Sequence, residues 1–410
     1  MKINEFLKQG VTPYQTADCI VTELQAHGFS VNADKFTRGG KYVIRKGNAV
    51  FGIVIGEGRD IQVAACHTDT PCFKFKQQPD KTVGNATVWL TEPYGGAIRH
   101  TWTDRPLGIA GVVAVKNAAG ASIVPVELRG RYTIPSVAIH FNRTVNENCS
   151  LNAATDFNIL GTGSLLSVVA DELGVCKEDV LSTDLRTFCA DEPYESGADL
   201  VSPRIDNLTS AYSILTALCD SAVSGIAIGA FFDLEEVGSR GEGGADTPIL
   251  AQTVEKLARD LGLGADTKAY VMSVDNAHGE HPLHPELTAN TDCARLGGGI
   301  VIKYNANLRY STTVESGALV KLLCQKANVP VQVFSQRSDL PCGSTLGTIN
   351  VGHVDCVSAD IGIAQLAMHA ASEVCAVADV ASMTQFLRAF YSANITDPDR
   401  VSTAGNIQVD

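Results

Sequence analysis

Three compact apolar runs lead into side chains that can bind a metal, and nothing else in the chain constrains its fold as strongly. IQVAAC (61–66) runs into His67, IAIGAFF (226–232) is followed closely by Glu235 and Glu236, and YVMSV (270–274) runs into Asp275. Short, nearly continuous apolar segments of this kind suit the buried central strands of an α/β sheet. In open α/β sheets, ligands bind in the crevice beyond the carboxyl ends of the strands. The three ends are therefore expected side by side, although about 200 residues separate the first from the last.

Two further residues extend the pattern. Asp206, in RIDNL, precedes Leu208, Ala211, Leu215 and Leu218, whose spacing is that of an amphipathic helix. His369 stands in AMHAASE. Taken singly, each has a plainer explanation: Asp206 as a helix cap, His67 and His369 as hydrogen-bonded core residues, Glu235 and Glu236 as solvated loop charges. Together they weigh differently, because adjacent acids at the end of a buried run repel each other unless a cation sits between them. Two imidazoles and three carboxylates (His67, Asp206, Glu236, Asp275 and His369) can hold two divalent cations with one carboxylate shared. The donor set suits zinc, with manganese or cobalt as alternatives, better than a thiolate-selective metal. Paired cations about 3.5–4 Å apart acidify a bridging water and polarise a carbonyl, the chemistry of metal-assisted hydrolysis. Glu235, beside a ligand but not needed as one, is the natural general base. Asp69, two residues after His67, is expected to hydrogen-bond the far nitrogen of that imidazole and fix its tautomer.

Along the chain the pattern changes character twice. Residues 14–30 read as a helix, and KYVIRKG and AVFGIVIG as short strands. From about residue 80 to 190 the chain turns β-rich: VVAVKNAAGASIVPVEL reads as two strands around a turn, and RYTIPSVAIHF as another. The α/β alternation then resumes. The expected architecture is one α/β domain with a mixed sheet between helical layers, assembled from residues 1–79 and 192–410 and interrupted by a β-rich insertion at 80–191. His67 lies before the insertion and the other ligands after it, so the site needs both halves. The polar tail, TDPDRVSTAGNIQVD, is expected to be mobile beyond about residue 396.

Composition narrows the function. At 410 residues, with 45% hydrophobic and 19% charged residues, the chain is globular and long enough for more than one core. A net charge of −13 argues against nucleic-acid or anionic-membrane partners. No apolar run approaches the ~18 residues of a membrane span, the first residues do not read as a signal peptide, and a cytoplasmic protein is expected. The 12 Cys contain no CxxC pair and lack the spacing of a disulfide framework. GTGS at Gly161–Ser164 and GEGG at Gly241–Gly244 lack the spacing of a phosphate loop. Ser344, in CGSTLG, lacks the elbow of a serine hydrolase.

At the ligand motifs the sequence resembles the aspartyl aminopeptidase family of metallopeptidases, nearly end to end. CHTDTP, DLEEVGSRG, SVDNAHGEHP, VIKYNANLRY, LPCGSTLG and DIGIAQLAMH are similar to its catalytic motifs, in order. EPYGGAIRHTWTDRPLGIAG, VAIHFNR and DFNILG are similar to segments of its inserted dimerisation domain. The resemblance implies that Asp206 bridges two zinc ions, with His67 and Asp275 completing one site and Glu236 and His369 the other. It matches Glu235 to the catalytic base and Asp69 to the orienting acid. It matches His140 to a residue that reaches a neighbouring subunit's site and touches substrate, a metal-ligand role being the lesser alternative. Lys303, with Arg309 as a second candidate, matches a cation that would favour peptides beginning with Asp or Glu. Self-association into dimers and a dodecamer around an enclosed chamber is likewise implied. Residues 282–302 lack the His- and Glu-rich stretch usual in close relatives, which leaves a broad or neutral, Leu-type preference as the alternative. A deacylase or dipeptidase of the same metal fold would lack the insertion's motifs, and a non-catalytic shell-forming protein would have lost a ligand or Glu235.

Overall fold

The computed structural model of the chain describes residues 1–31, 33–396 and 406–410. Its larger sheet is mixed and has 13 strands. At its centre lie four mutually parallel strands in the order Ile226–Phe232, Ile61–His67, Ala269–Val274 and Val357–Leu366. The three apolar runs are thus direct neighbours, and Phe232 pairs with His67 in register.

These strands are buried on both faces because helices cover both. Ala64, Cys66, Ala227, Phe231, Tyr270 and Met272 pack toward one layer, which includes Ile205–Asp220 and Val377–Ser392. The alternating residues Val63, Ala65, Ile226, Ile228, Ala230 and Val271 pack toward the other, which includes Ile249–Leu261 and Leu346–His353. Period-two alternation between two apolar layers explains why the runs read as continuous rather than striped. The helix 205–220 lies close on the sheet at Gly229, where a Cβ would come within 2.9 Å of Ile214.

A second, six-stranded sheet is antiparallel and draws on Cys72 through Cys189, with strand order 120–132, 107–117, 180–189, 72–83, 86–94, 159–161. Residue 80, the expected start of the insertion, falls inside the strand Cys72–Val83. Its core is aromatic: Phe73 stacks on Phe157 with ring centroids 4.6 Å apart, and Trp102 meets Phe73 edge-on.

Two expectations need revision. The strand expected in RYTIPSVAIHF stops at Tyr132, and residues 133–158 form irregular backbone and turns. Pro135 offers no N–H for a ladder, and the apolar side chains beyond it face solvent, Phe141 being 87% exposed. The first long helix runs Pro13–Ala26, ending before Gly28 at φ +82°, and a short helix at Ile3–Gln9 precedes it. As for the tail, residues 397–405 lie outside the described residues, and Gln408–Val409 pairs with Ile395–Thr396. Among the described residues, no helix is long and apolar enough to cross a membrane.

Candidate active site

The carboxyl ends of the central strands deliver the expected side chains to one place. His67 terminates its strand, Asp275 follows Val274, and Glu235–Val237 forms a single 3-10 turn shortly after Phe232. Asp206 enters from the start of the helix 205–220, and His369 from the segment after Leu366. His67 Nε2 lies 3.6 Å from Asp206 Oδ1 and 3.5 Å from Asp275 Oδ1. His369 Nε2 lies 3.4 Å from Asp206 Oδ2 and 3.2 Å from Glu236 Oε1. The two oxygens of Asp206 therefore face two different clusters, His67 with Asp275 and His369 with Glu236, and each cluster has donor atoms within 4.8 Å of one another.

The donor chemistry fits divalent cations. Asp206 Oδ1 and Glu236 Oε1 are buried and carry no hydrogen bond, a costly arrangement for an acid without a cation. The electrostatics agree. Burial pulls the His369 imidazole down, but pairing with Asp206 and Glu236 outweighs it and raises the pKa to about 11. His67 is likewise pushed well above its ordinary value, against burial, by Asp206, Asp275 and Asp69. Burial and neighbouring carboxylates push Glu235 up to about 8, although His67 opposes them. This is a pocket in which acids outnumber bases and positive charge is in demand.

Asp69 works through more contacts than expected. The nearest partner of His67 Nδ1 is the Asp69 main-chain carbonyl, at 3.0 Å, with the carboxylate 3.5 Å away. A proton on Nδ1 shared with these oxygens leaves Nε2 free to face Asp206 and Asp275. The Asp69 carboxylate accepts the backbone N–H groups of Glu235 and Glu236, both at 3.1 Å, and the Tyr94 hydroxyl at 2.7 Å. It thus fixes the turn that presents both glutamates.

Several supports carried no signal in the sequence. Glu373, buried four residues after His369, accepts backbone N–H groups from Asp206 at 3.0 Å and His369 at 2.7 Å, holding two candidate ligands with one carboxylate. Asn207 and Asn276, each following a candidate ligand, tie the two segments together. Asn207 donates to the Val274 carbonyl and Asn276 to the Ile205 carbonyl. The six-stranded sheet contributes as well. Beyond Tyr94, the Gly96 carbonyl lies 3.2 Å from His369 Nδ1, and the Ile98 N–H donates to the His369 carbonyl at 2.9 Å.

The remaining sequence candidates lie outside the ligand clusters. Lys303 is 1% exposed, its Nζ donating to the Asn276 carbonyl at 3.2 Å and lying 3.9 Å from Asp275 Oδ2. A buried ammonium behind a candidate ligand carboxylate is a different object from a solvated strand-end charge. Arg309 stands on an exposed loop lining a cavity of about 720 Å³ with Tyr304, Asn305, Pro341 and Cys342. His140 is exposed, in the irregular segment 133–158, and outside the clusters around His67 and His369.

A catalytic centre of paired imidazoles and acids at the strand ends of an α/β sheet is that of a metal-dependent hydrolase. The family model described as aminopeptidase I zinc metalloprotease (M18) matches residues 6–391. A probable M18 family aminopeptidase 2 of Pseudomonas putida is 33% identical, over 94% of this chain and 96% of its own length. Its counterpart in Mycobacterium leprae is 32% identical, over 95% and 98%. Among solved structures, Ape4 in its complex with Nbr1 superposes with a TM-score of 0.90 at 28% identity, covering 95% of this chain and 84% of that one. The M18 aminopeptidase of Thermotoga maritima shares the fold, with a TM-score of 0.84 at 20% identity and coverage of 95% and 94%. The chain belongs to the M18 family of zinc metalloproteases and is an aminopeptidase.

Proposed function

We propose that the chain removes the N-terminal residue of peptides with two divalent metal ions, zinc foremost, and prefers an acidic N-terminal side chain. The carrying observation is Asp206, whose two oxygens face two separate His–carboxylate clusters. His67 and Asp275 would hold one ion, Glu236 and His369 the other, with Asp206 common to both. The pair would supply the acidification of a water and the polarisation of the scissile carbonyl.

The chain's own groups do the rest. Glu235 accepts the proton of the attacking water on its carboxylate and returns it to the leaving amine. Asp69 holds Glu235 in reach by its hydrogen bond to the Glu235 N–H. Carboxylates at the site attract the free α-amine of the substrate, as an exopeptidase requires. Lys303, buried beside Asp275, is the cation that would favour an acidic side chain, with Arg309 second. A charge-assisted contact of this kind contributes about 1.5–3 kcal/mol, or roughly 10- to 150-fold in kcat/KM.

Assembly belongs to the same reading. The S. cerevisiae mApe1 structure is a dodecamer, and its TM-score to this chain is 0.82 at 23% identity. A comparable assembly would cover the exposed Val137, Ile139 and Phe141 and let His140 reach a neighbouring copy's site. The differing segment 282–302 supports the second reading, a broad or Leu-type preference. Asp, Glu, Leu and Lys aminoacyl substrates, assayed with wild type and Lys303→Met, separate the two. The acidic preference predicts fastest cleavage of Asp or Glu and a 10- to 150-fold loss in Lys303→Met. Fastest cleavage of Leu, unchanged in Lys303→Met, contradicts it and leaves the aminopeptidase standing.

A further inference from the structure

Asp360 lies outside the ligand set, yet its carboxylate is fully buried within the strand Val357–Leu366. Among the described residues no Lys, Arg or His forms an ion pair with it. Hydrogen bonds from two different loops satisfy it instead. Oδ2 accepts the Ser311 N–H at 2.5 Å and the Ser311 hydroxyl at 2.7 Å. Oδ1 accepts the hydroxyl of Thr345, the residue that precedes the helix Leu346–His353. The Asp360 N–H donates to Thr312 Oγ1 at 2.8 Å, and the Ser311 hydroxyl also meets Ser358 Oγ at 2.8 Å.

The helix is shaped to admit the carboxylate. A Cβ on Gly347 would lie 2.2 Å from Asp360 Oδ2 and 2.6 Å from the Ser311 hydroxyl, so only glycine allows this approach. The two loops so joined, 305–313 and 336–345, both line the 720 Å³ cavity, which also takes in Tyr304, the residue after Lys303. Tyr310, next to Ser311, has its ring centroid 5.2 Å from Lys303 Nζ and shares a small apolar cluster with Cys342, which lines the cavity.

We propose that Asp360 is a positioning residue for substrate selection: its carboxylate ties these two loops together and sets the width of the cavity that would receive the substrate's side chain. This rests on the assignment of Lys303 and Arg309 to substrate recognition. Asp360 touches neither the candidate metal ligands nor the reacting atoms, so its effect falls on KM and selectivity rather than on kcat.

The test compares Asp360→Ala and Asp360→Asn with wild type on the four aminoacyl substrates, with metal content measured in each. An amide placed with its NH₂ toward Thr345, whose hydroxyl can accept, keeps the acceptor toward Ser311. Asp360→Asn is therefore expected within about threefold of wild type, a rescue by the conservative side chain. Asp360→Ala is expected to raise KM for the best substrate by about tenfold, leave kcat within about threefold, retain metal, and shrink the ratio of best to worst substrate. If the Ala variant does not fold, Ser311→Ala with Thr345→Val removes both side-chain hydroxyls of the tether from the loop side, leaving only the Ser311 N–H, and carries an expectation of the same direction. An equal loss of kcat/KM for every substrate, or an unchanged KM, overturns the proposal. Which substrate wild type prefers decides the acidic reading separately, because the ratio is read on whichever substrate is best.

Discussion

The ends of the central parallel strands and the loop 94–101 of the six-stranded sheet meet at one site but contribute in different ways. The strand ends present side chains: His67, Glu235, Glu236 and Asp275. The loop presents the Tyr94 hydroxyl to Asp69, the Gly96 carbonyl to His369 Nδ1 and the Ile98 N–H to the His369 carbonyl. One region supplies the candidate ligands and the other holds them in register, largely through backbone atoms. In metal sites such outer partners orient the ligands and set how tightly the ion is held. The six-stranded sheet therefore braces the candidate ligands while this loop contributes none of them.

The largest effect should come from the strand-end side. Glu235→Gln keeps size and hydrogen-bonding capacity but cannot accept a proton, so kcat should fall by roughly 10²–10⁴ with metal content unchanged. Loss of a metal ion from this variant would move Glu235 from base to ligand and blur the division between the regions.

Next come the supports, one from each sheet. Glu373→Gln replaces an acceptor of two backbone N–H groups by a side chain that can face only one of them with oxygen. Tyr94→Phe removes one hydroxyl from Asp69 and nothing else. Each should weaken metal retention or activity by about 10- to 100-fold, read as the chelator concentration that halves activity. A normal Tyr94→Phe beside a damaged Glu373→Gln would show that the six-stranded sheet is packing and not support.

The smallest effect concerns the join itself. Asp184, on the six-stranded sheet, accepts from Lys74 and from Tyr14 of the helix 13–26, both at 2.9 Å, beside the buried Arg186. Burial would raise its pKa, but Arg186, Lys74 and Tyr14 outweigh burial and lower it. A depressed folded-state pKa stabilises above the unfolded value near 3.9, and that contribution is lost as pH falls through the folded value. Asp184→Asn should therefore cost about 1.5 kcal/mol at pH 7, with the gap to wild type narrowing as pH falls below about 4. Urea midpoints at pH 7 and pH 3 measure this, and a gap constant with pH would remove the charge from the explanation.

The same division explains what could be read from the sequence. The strand ends were legible because binding a metal demands particular side chains, and a strand buried on both faces demands an unbroken apolar run before them. Asp206 was legible only in company, since an acid before a helix has an ordinary use as a cap. Tyr94, Gly96, Ile98 and Glu373 were not legible as supports, because they act on partners distant in sequence through a hydroxyl, backbone atoms or a carboxylate receiving backbone N–H groups. For the same reason the main-chain carbonyl of Asp69, closer to His67 Nδ1 than its carboxylate, left no trace in residue types. The strand expected in RYTIPSVAIHF fails differently. Its apolar residues met the pattern, but residues 133–141 join no sheet of this chain and leave Val137, Ile139 and Phe141 exposed. Lys303 shows the reverse: nothing in its residue type told of burial, and only tertiary packing places it behind Asp275.

The central claim is that Asp206 is shared between two cation sites, and elemental analysis tests it most directly. Wild type, Asp206→Ala and Asp275→Ala are purified without chelator and their metal content measured per chain. A shared carboxylate predicts about two ions in wild type and loss of both in Asp206→Ala, while Asp275→Ala keeps about one. One ion in wild type, or an Asp206→Ala protein that still holds two, contradicts the account.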